Sequence, residues 1–213
     1  MLGGRLLTGV LAFCNWVTHF ALLNLLWIVG TLMGGIVLGL APSTVAMYTV
    51  SRKQARGEEN VRLAKTFFST YRKEFFRANG LALILTVAGW LCFYDLQFFQ
   101  QMEGPLYTFL TYVAMAACLT FIILLVYILP VYVHYDLKLM QMMKQALFIG
   151  FLKPSNLILM IITSLSTYYF FISFPGFIPL FGFTIFAHLN MWMGLKCFET
   201  IEEIKLESDS EAA

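Results

Sequence analysis

Charge is what this chain has least of. Of its 213 residues only 12% are Asp, Glu, Lys or Arg, while 60% are hydrophobic; an ordinary soluble domain carries about 25% charged residues. A water-soluble protein of this composition would expose large apolar patches and aggregate. The net charge of +2 gives no broad basic surface, so nucleic acid is not an expected partner. Cysteine is sparse as well. Cys14, Cys92, Cys118 and Cys197 form no CxxC pair, and none has a histidine at metal-ligand spacing, which leaves them as small apolar packing residues. HExxH, GxSxG and P-loop patterns are absent, and no carboxylate pair or Cys/His cluster falls within an apolar run. No catalytic residue, cofactor or metal site is therefore assigned, and the chain is expected not to be an enzyme. Leu11-Ala12-Phe13-Cys14 fails as a lipoprotein box because Phe13 stands where a small residue is required, and no A-x-A site follows, so no cleaved leader is expected.

What is present is a set of long uncharged runs. No Asp, Glu, Lys or Arg occurs from Leu6 to Ser51, from Gly104 to Tyr135, or from Pro154 to Leu195. A helix needs about 20 residues to cross the hydrocarbon core. The pattern predicts an all-α, single-domain bundle of five spans, near residues 17–40, 78–94, 106–129, 156–174 and 178–195. Pro175-Gly176 and Pro179 turn the last two into a hairpin, and an acidic cytoplasmic tail, 196–213, follows. Glu199, Glu202, Glu203, Glu207, Asp209 and Glu211 in that tail read as solvated.

Orientation follows from the basic residues. Eight of the 14 Lys and Arg residues fall between Ser51 and Arg77. Lys138, Lys144 and Lys153 lie between the third and fourth predicted spans, and the alternate connections have none. Basic loops stay cytoplasmic, which places the C-terminus inside and, for five spans, the N-terminus outside. Arg5 runs against this, and a sixth span over residues 6–22 is the alternative that would bring it inside. Trp90, Phe93, Tyr94, Tyr107, Tyr168 and Tyr169 on the outer side, with Tyr48, Tyr132, Tyr135 and Trp192 on the inner, read as interfacial belts. Trp27 falls inside the first span and reads as a packing residue.

Two cytoplasmic stretches have helical periodicity. In Asn60 to Arg77 the apolar residues Val61, Ala64, Phe67, Phe68, Tyr71 and Phe75 share a face, with Arg62, Lys65, Arg72 and Lys73 on others. That predicts an amphipathic helix along the inner membrane surface. The preceding Arg56-Gly57-Glu58-Glu59-Asn60 reads as a turn with acids suited to a helix N-terminus. Leu139 to Phe151 is a weaker copy, with Met140, Met143, Leu147 and Phe151 on one face. The halves invite comparison: Leu40-Ala41-Pro42 and Leu129-Pro130 each precede an amphipathic stretch and a further span, as a parallel duplication would.

Candidate functional residues are few. His188, Asn24 and Asp95 are the polar groups placed in or at the edge of spans, where ionisable side chains are functional candidates. Each also has a structural reading: a hydrogen bond to a neighbouring helix for His188 and Asn24, an interface marker for Asp95. Arg62, Lys65, Arg72 and Lys73 suit anionic lipid headgroups or a protein partner. Gly30, Gly34, Gly35 and Gly39 give two GxxxG spacings for close helix packing, within the chain or between two copies.

Asn24-Leu25-Leu26-Trp27, Pro42-Ser43-Thr44, Arg52-Lys53, Arg56-Gly57-Glu58-Glu59, Phe67-Phe68, Tyr71-Arg72-Lys73-Glu74-Phe75 and Asp95 stand in an order and spacing that resembles the YesL family of bacterial integral membrane proteins, a domain of unknown function. The likeness is best over residues 15–100 and weak after Pro130. It implies a bacterial cell-membrane protein often encoded near carbohydrate uptake and degradation genes, and it brings no catalytic residues. The function expected is an accessory or regulatory component of carbohydrate utilisation, working with a sugar transporter or sensor. The alternative is a transporter or channel subunit with His188, Asn24 and Asp95 along a polar path.

Overall fold

The computed structural model describes residues 2–58 and 61–211, with side chains placed from Gly9 to Ile204 apart from Ala12, Phe13, Glu59 and Asn60. The side chains of Arg5, Glu59, Asn60, Glu207, Asp209 and Glu211 therefore lie outside the described residues. Seven α-helices follow one another: α1 (Leu2–Met33), α2 (Val37–Ala55), α3 (Leu63–Gln100), α4 (Pro105–His134), α5 (Leu139–Leu152), α6 (Pro154–Ser173) and α7 (Ile178–Glu211), with a 3-10 turn at Pro175–Phe177. No strand occurs among the described residues. The chain is an all-α bundle, and five of its helices, α1, α3, α4, α6 and α7, are long and apolar enough to cross a membrane.

The first predicted span, 17–40, is not one helix. α1 stops at Met33 and the chain reverses at residues 34–36. Gly35 takes the left-handed conformation at φ 70°; its N–H bonds to the Leu32 carbonyl and that of Ile36 to the Thr31 carbonyl. This is a Schellman ending. Gly57 ends α2 in the same way at φ 73°, with Gly57 N–H on Gln54 and Glu58 N–H on Lys53. Ile36 also has a positive φ, 66° with ψ −67°, at the centre of a γ-turn closed by the Val37 N–H on the Gly35 carbonyl at 2.8 Å, a strained conformation for a β-branched residue.

α2 is consequently a separate helix packed antiparallel to α1. Trp27 Nε1 donates to Thr44 Oγ1 at 3.1 Å. A Cβ at Gly30 would lie 2.6 Å from Ser43 Oγ, and one at Gly34 would overlap the Cα of Gly39. Gly30, Gly34 and Gly39 thus close this hairpin, and Gly35 forms its turn. The two GxxxG spacings do not share one helix face, and three of their four glycines pack within the chain.

α2 also runs antiparallel to α3. Asn79 Nδ2 donates to the Leu38 carbonyl at 2.9 Å at one end, and Lys53, Arg62 and Lys65 line one cavity at the other. The stretch predicted to lie on the membrane surface is the first part of a single 38-residue helix. Its apolar face meets protein, not lipid: Phe67 and Tyr71 are buried beneath Gly30 and Gly34. α3 starts at Leu63 with Arg62 at its N-cap and no acid in its first turn; Glu58, before it, pairs with Lys53 at 3.7 Å.

Hairpins continue through the rest of the chain. α3 and α4 meet at Gly89 and Phe121 and at Cys92 and Cys118. α5 folds back on α4, with Gly150 against Ile123 and Tyr127. That contact turns Met142, Ala146, Ile149 and Gly150 inward and leaves Met140 and Phe151 exposed, so the buried face is displaced from the predicted one. α7 runs alongside α4 in the same sense, with Pro130 against Gly194 and His134 against Phe198. The proposed duplication fails in detail. The first half inserts a turn at 34–36 and fuses its amphipathic stretch to the span, whereas α4 is continuous and α5 and α6 are separated at Lys153.

The core is built from Leu23, Met47, Tyr48, Phe67, Tyr127, Met142, Met191 and Phe198. Tyr48 and Tyr132 are buried packing residues and not part of an interfacial belt, whereas Trp90, Tyr168 and Tyr169 are exposed. Trp27 is buried and stacks on Phe183 at 4.0 Å. Leu83, Val87 and Leu91 on α3 and Phe109 and Leu119 on α4 are exposed, an apolar belt that a bilayer covers.

Candidate functional site

The basic residues gather where α2, α3 and the end of α4 meet. Helical spacing puts Leu63, Phe67 and Tyr71 on the buried side of α3. It leaves Arg62, Lys65, Arg72 and Lys73 exposed. Only Lys73 has an acid within 4 Å among the described residues, Glu74 at 3.9 Å. Glu58 shares a cavity with Arg62 and Lys65, and no closer acid faces these two among the described residues.

Behind them lies an ion network the sequence did not single out. Glu74, whose side chain is 13% exposed, sits 3.6 Å from Arg77 and accepts a hydrogen bond from Tyr132 Oη at 2.8 Å. Arg77 is 3.6 Å from Asp136, donates to the Leu137 carbonyl and lies 5.1 Å over the Tyr132 ring. The network fastens α3 to the end of α4. A lone acid inside a basic stretch, Lys73-Glu74, was its sequence signal. Beside it, Glu202 is 3.7 Å from His134 and accepts from Tyr135 Oη at 3.3 Å, so α7 does not end in a purely solvated acidic tail. Burial and the Glu202 carboxylate push the Tyr135 phenol up to about 12, which keeps it a hydrogen-bond donor.

The three intramembrane candidates do not come together. Asn24 is fully buried at the α1–α7 contact. Its Nδ2 donates to the carbonyls of Ile178 at 3.2 Å and Pro179 at 2.7 Å, and its Oδ1 accepts from the Phe183 N–H at 3.2 Å and Thr184 Oγ1 at 3.4 Å. Pro179 and Phe183 are four apart, the pair whose own bond closes a helical turn, so Asn24 grips the start of α7. His188 packs edge-on against Phe20 at 5.0 Å, and its Nδ1 is buried without a hydrogen-bond partner among the described residues. Asp95 is exposed and borders a separate small cavity between α3 and α4, with Cys92, Phe99 and Leu110. The polar path expected of a transporter is not assembled by these three.

One protein from Bacillus subtilis (strain 168), "Uncharacterized protein YesV", is 35% identical over 191 residues, covering 90% of this chain and 92% of its own. The family description "Protein of unknown function, DUF624" matches residues 20–96, which hold α2 entire and most of α3. The chain belongs to this family, the YesL type. Two other B. subtilis relatives are similar: "Uncharacterized protein YesL" at 30% identity over 92% of each chain, and "Uncharacterized protein YteU" at 31% over 85% of this chain and 82% of its own. No solved structure matches the chain. Within this DUF624 chain the matched segment contains Asn24, the α1–α2 turn, the basic face and Glu74.

Proposed function

We propose that this DUF624 protein is a non-catalytic accessory or regulatory component of the bacterial cell membrane that docks a partner on the basic face of α3. The observation that carries the reading is the row Arg62, Lys65, Arg72 and Lys73, exposed on a helix whose opposite side is buried against α1 and α2. Charges presented from a rigid seam steer an acidic partner better than charges on a loose loop. The link to carbohydrate uptake rests on the family resemblance alone. A transporter subunit is less well supported, because Asn24 is saturated with helix-to-helix hydrogen bonds and Asp95 lies apart.

The orientation proposed with this function differs from the five-span expectation. His19 shares a cavity with Gln54, Glu58 and Arg62, so the N-terminal part of α1 lies at the same end as the basic turn. α1 and α2 together return the chain to the side it came from, and α3, α4, α6 and α7 then alternate. With the basic connection 56–62 taken as cytoplasmic, the proposed orientation has the N-terminal part of α1, residues 135–138 and the end of α7 on that same side, and residues 101–104 and 174–177 outside. The alternative span at 6–22 is not needed to bring Arg5 inside.

The docking reading is tested by crosslinking in native membranes followed by purification in mild detergent. The wild-type chain recovers a specific membrane partner, and the chain with Arg62, Lys65, Arg72 and Lys73 all changed to Gln loses it while accumulating normally. Equal recovery by both chains, or recovery of no other protein, would overturn the reading.

A further inference from the structure

The cavity behind the basic face has the chemistry of an oxyanion site. It measures about 330 Å³ and opens between α2, α3 and the end of α4, lined by Thr49, Arg52, Thr70, Lys73, Arg77 and Tyr135 among others. Its acids are Glu74 and Asp136. Glu74 is engaged by Lys73, Arg77 and Tyr132, and Asp136, with a 99% exposed side chain, stands at the rim against Arg77. Arg52 is different. No acid lies within 4 Å of it among the described residues, and its Nε is buried without a hydrogen-bond partner. Arg52 as a whole is only partly buried and feels the Glu58 carboxylate, but a buried N–H left unpaired is costly, and a bound oxyanion would remove that cost with a charge-assisted hydrogen bond. Thr49 and Thr70 also border the neighbouring cavity with Lys53, Arg62 and Lys65, so the cavity is approached along a cationic, hydroxyl-lined seam.

We infer that Arg52, with Lys73, Arg77 and the hydroxyl of Thr70, binds a phosphate monoester in the cavity between α2, α3 and the end of α4. The phosphate monoester has two available sources, the headgroup of phosphatidic acid or a soluble phosphate ester. Thr49 and Thr70 join the cavity to the neighbouring basic one, so either source has a cationic approach. Lys73 is common to this site and the docking face, but Arg52 is not among the four residues neutralised there, so the Arg52 variant tests this site without touching the docking reading.

The test uses the full chain in neutral detergent, titrated calorimetrically with sn-glycerol 3-phosphate, and in nanodiscs of phosphatidylcholine with or without phosphatidic acid, followed by thermal unfolding. Arg52→Gln is expected to weaken binding or abolish the stabilisation by at least about tenfold in apparent affinity, the loss of a charge-assisted pair. Thr49→Asp, which places a carboxylate in the cavity without touching Arg52, gives the same loss and keeps the test usable should Arg52→Gln not fold. Arg52-dependent stabilisation by phosphatidic acid alone assigns the headgroup as the source, and Arg52-dependent binding of glycerol 3-phosphate alone assigns a soluble ester. No binding of either probe, or binding unchanged in both variants, would overturn the proposal.

Discussion

Replacing Gly39 by valine is expected to prevent the chain from accumulating as a folded protein. A Cβ at Gly39 would overlap the backbone carbonyl of Thr31 and lie 2.9 Å from that of Gly30. Backbone cannot rotate aside as a flexible side chain does, so α1 and α2 must separate. Overpacking that moves backbone costs about 3 kcal/mol or more, a large share of a total stability of about 5–15 kcal/mol. The buried row Val45 to Tyr48 of α2 would lose its fit with it. Gly35→Ala is a milder change: nothing lies within 4 Å of a Cβ there, and only the left-handed φ of 70° costs about 1 kcal/mol. Gly80→Ala, on an open helical surface, is expected to be neutral. Detergent-extracted yield and thermal aggregation of the three variants give the ranking directly; equal behaviour of Gly39→Val and Gly80→Ala would show that the hairpin is not packed as described.

The second large effect belongs to Asn24. Asn24→Ala removes hydrogen bonds to Ile178, Pro179, Phe183 and Thr184 at once at a site with no exposure. Interhelical hydrogen bonds in membranes average about 0.6 kcal/mol each, and buried groups left unpaired cost about 1–3 kcal/mol. A loss of about 2 kcal/mol in thermal unfolding is expected. Asn24→Asp should be worse, because a carboxylate faces the Ile178 and Pro179 carbonyls without an N–H to give them. If Asn24→Asp were as stable as wild type, the grip of α1 on α7 would not be a structural one.

Much of the architecture is legible in the sequence because lipid-facing helices announce themselves by composition. α4, α6 and α7 fall where their uncharged runs predict them. α2 was missed for a physical reason. Beyond its exposed first turn (Val37, Leu38 and Leu40) it packs largely against protein, so Ser43, Ala46, Met47 and Ser51 meet other helices and not lipid, and hydropathy is blind to that. The same segment hid its turn, since Gly34-Gly35 reads equally as a packing motif and as a Schellman ending. The basic face was visible as a charge cluster. Its backing by Glu74, Tyr132 and Asp136 was not, because residues about 60 positions apart along the chain are joined only by the return of α4 to α3.

The proposed orientation rests on the gathering of the N-terminal part of α1 and the basic turn at one end of the bundle, the end assigned to the cytoplasm together with the end of α7. Single-cysteine labelling of intact cells with a membrane-impermeant maleimide tests it most directly. Cys14 is retained as the sole cysteine in one variant, and Glu58→Cys, Asp136→Cys and Met102→Cys are placed singly in a chain whose four cysteines are replaced by serine. The expected result is labelling at position 102 alone in intact cells, with positions 14, 58 and 136 reacting only after the membrane is opened. Labelling of Cys14 from outside while position 58 stays protected would contradict the hairpin, and labelling of position 58 from outside would remove the basic face from the cytoplasm and the proposed function with it.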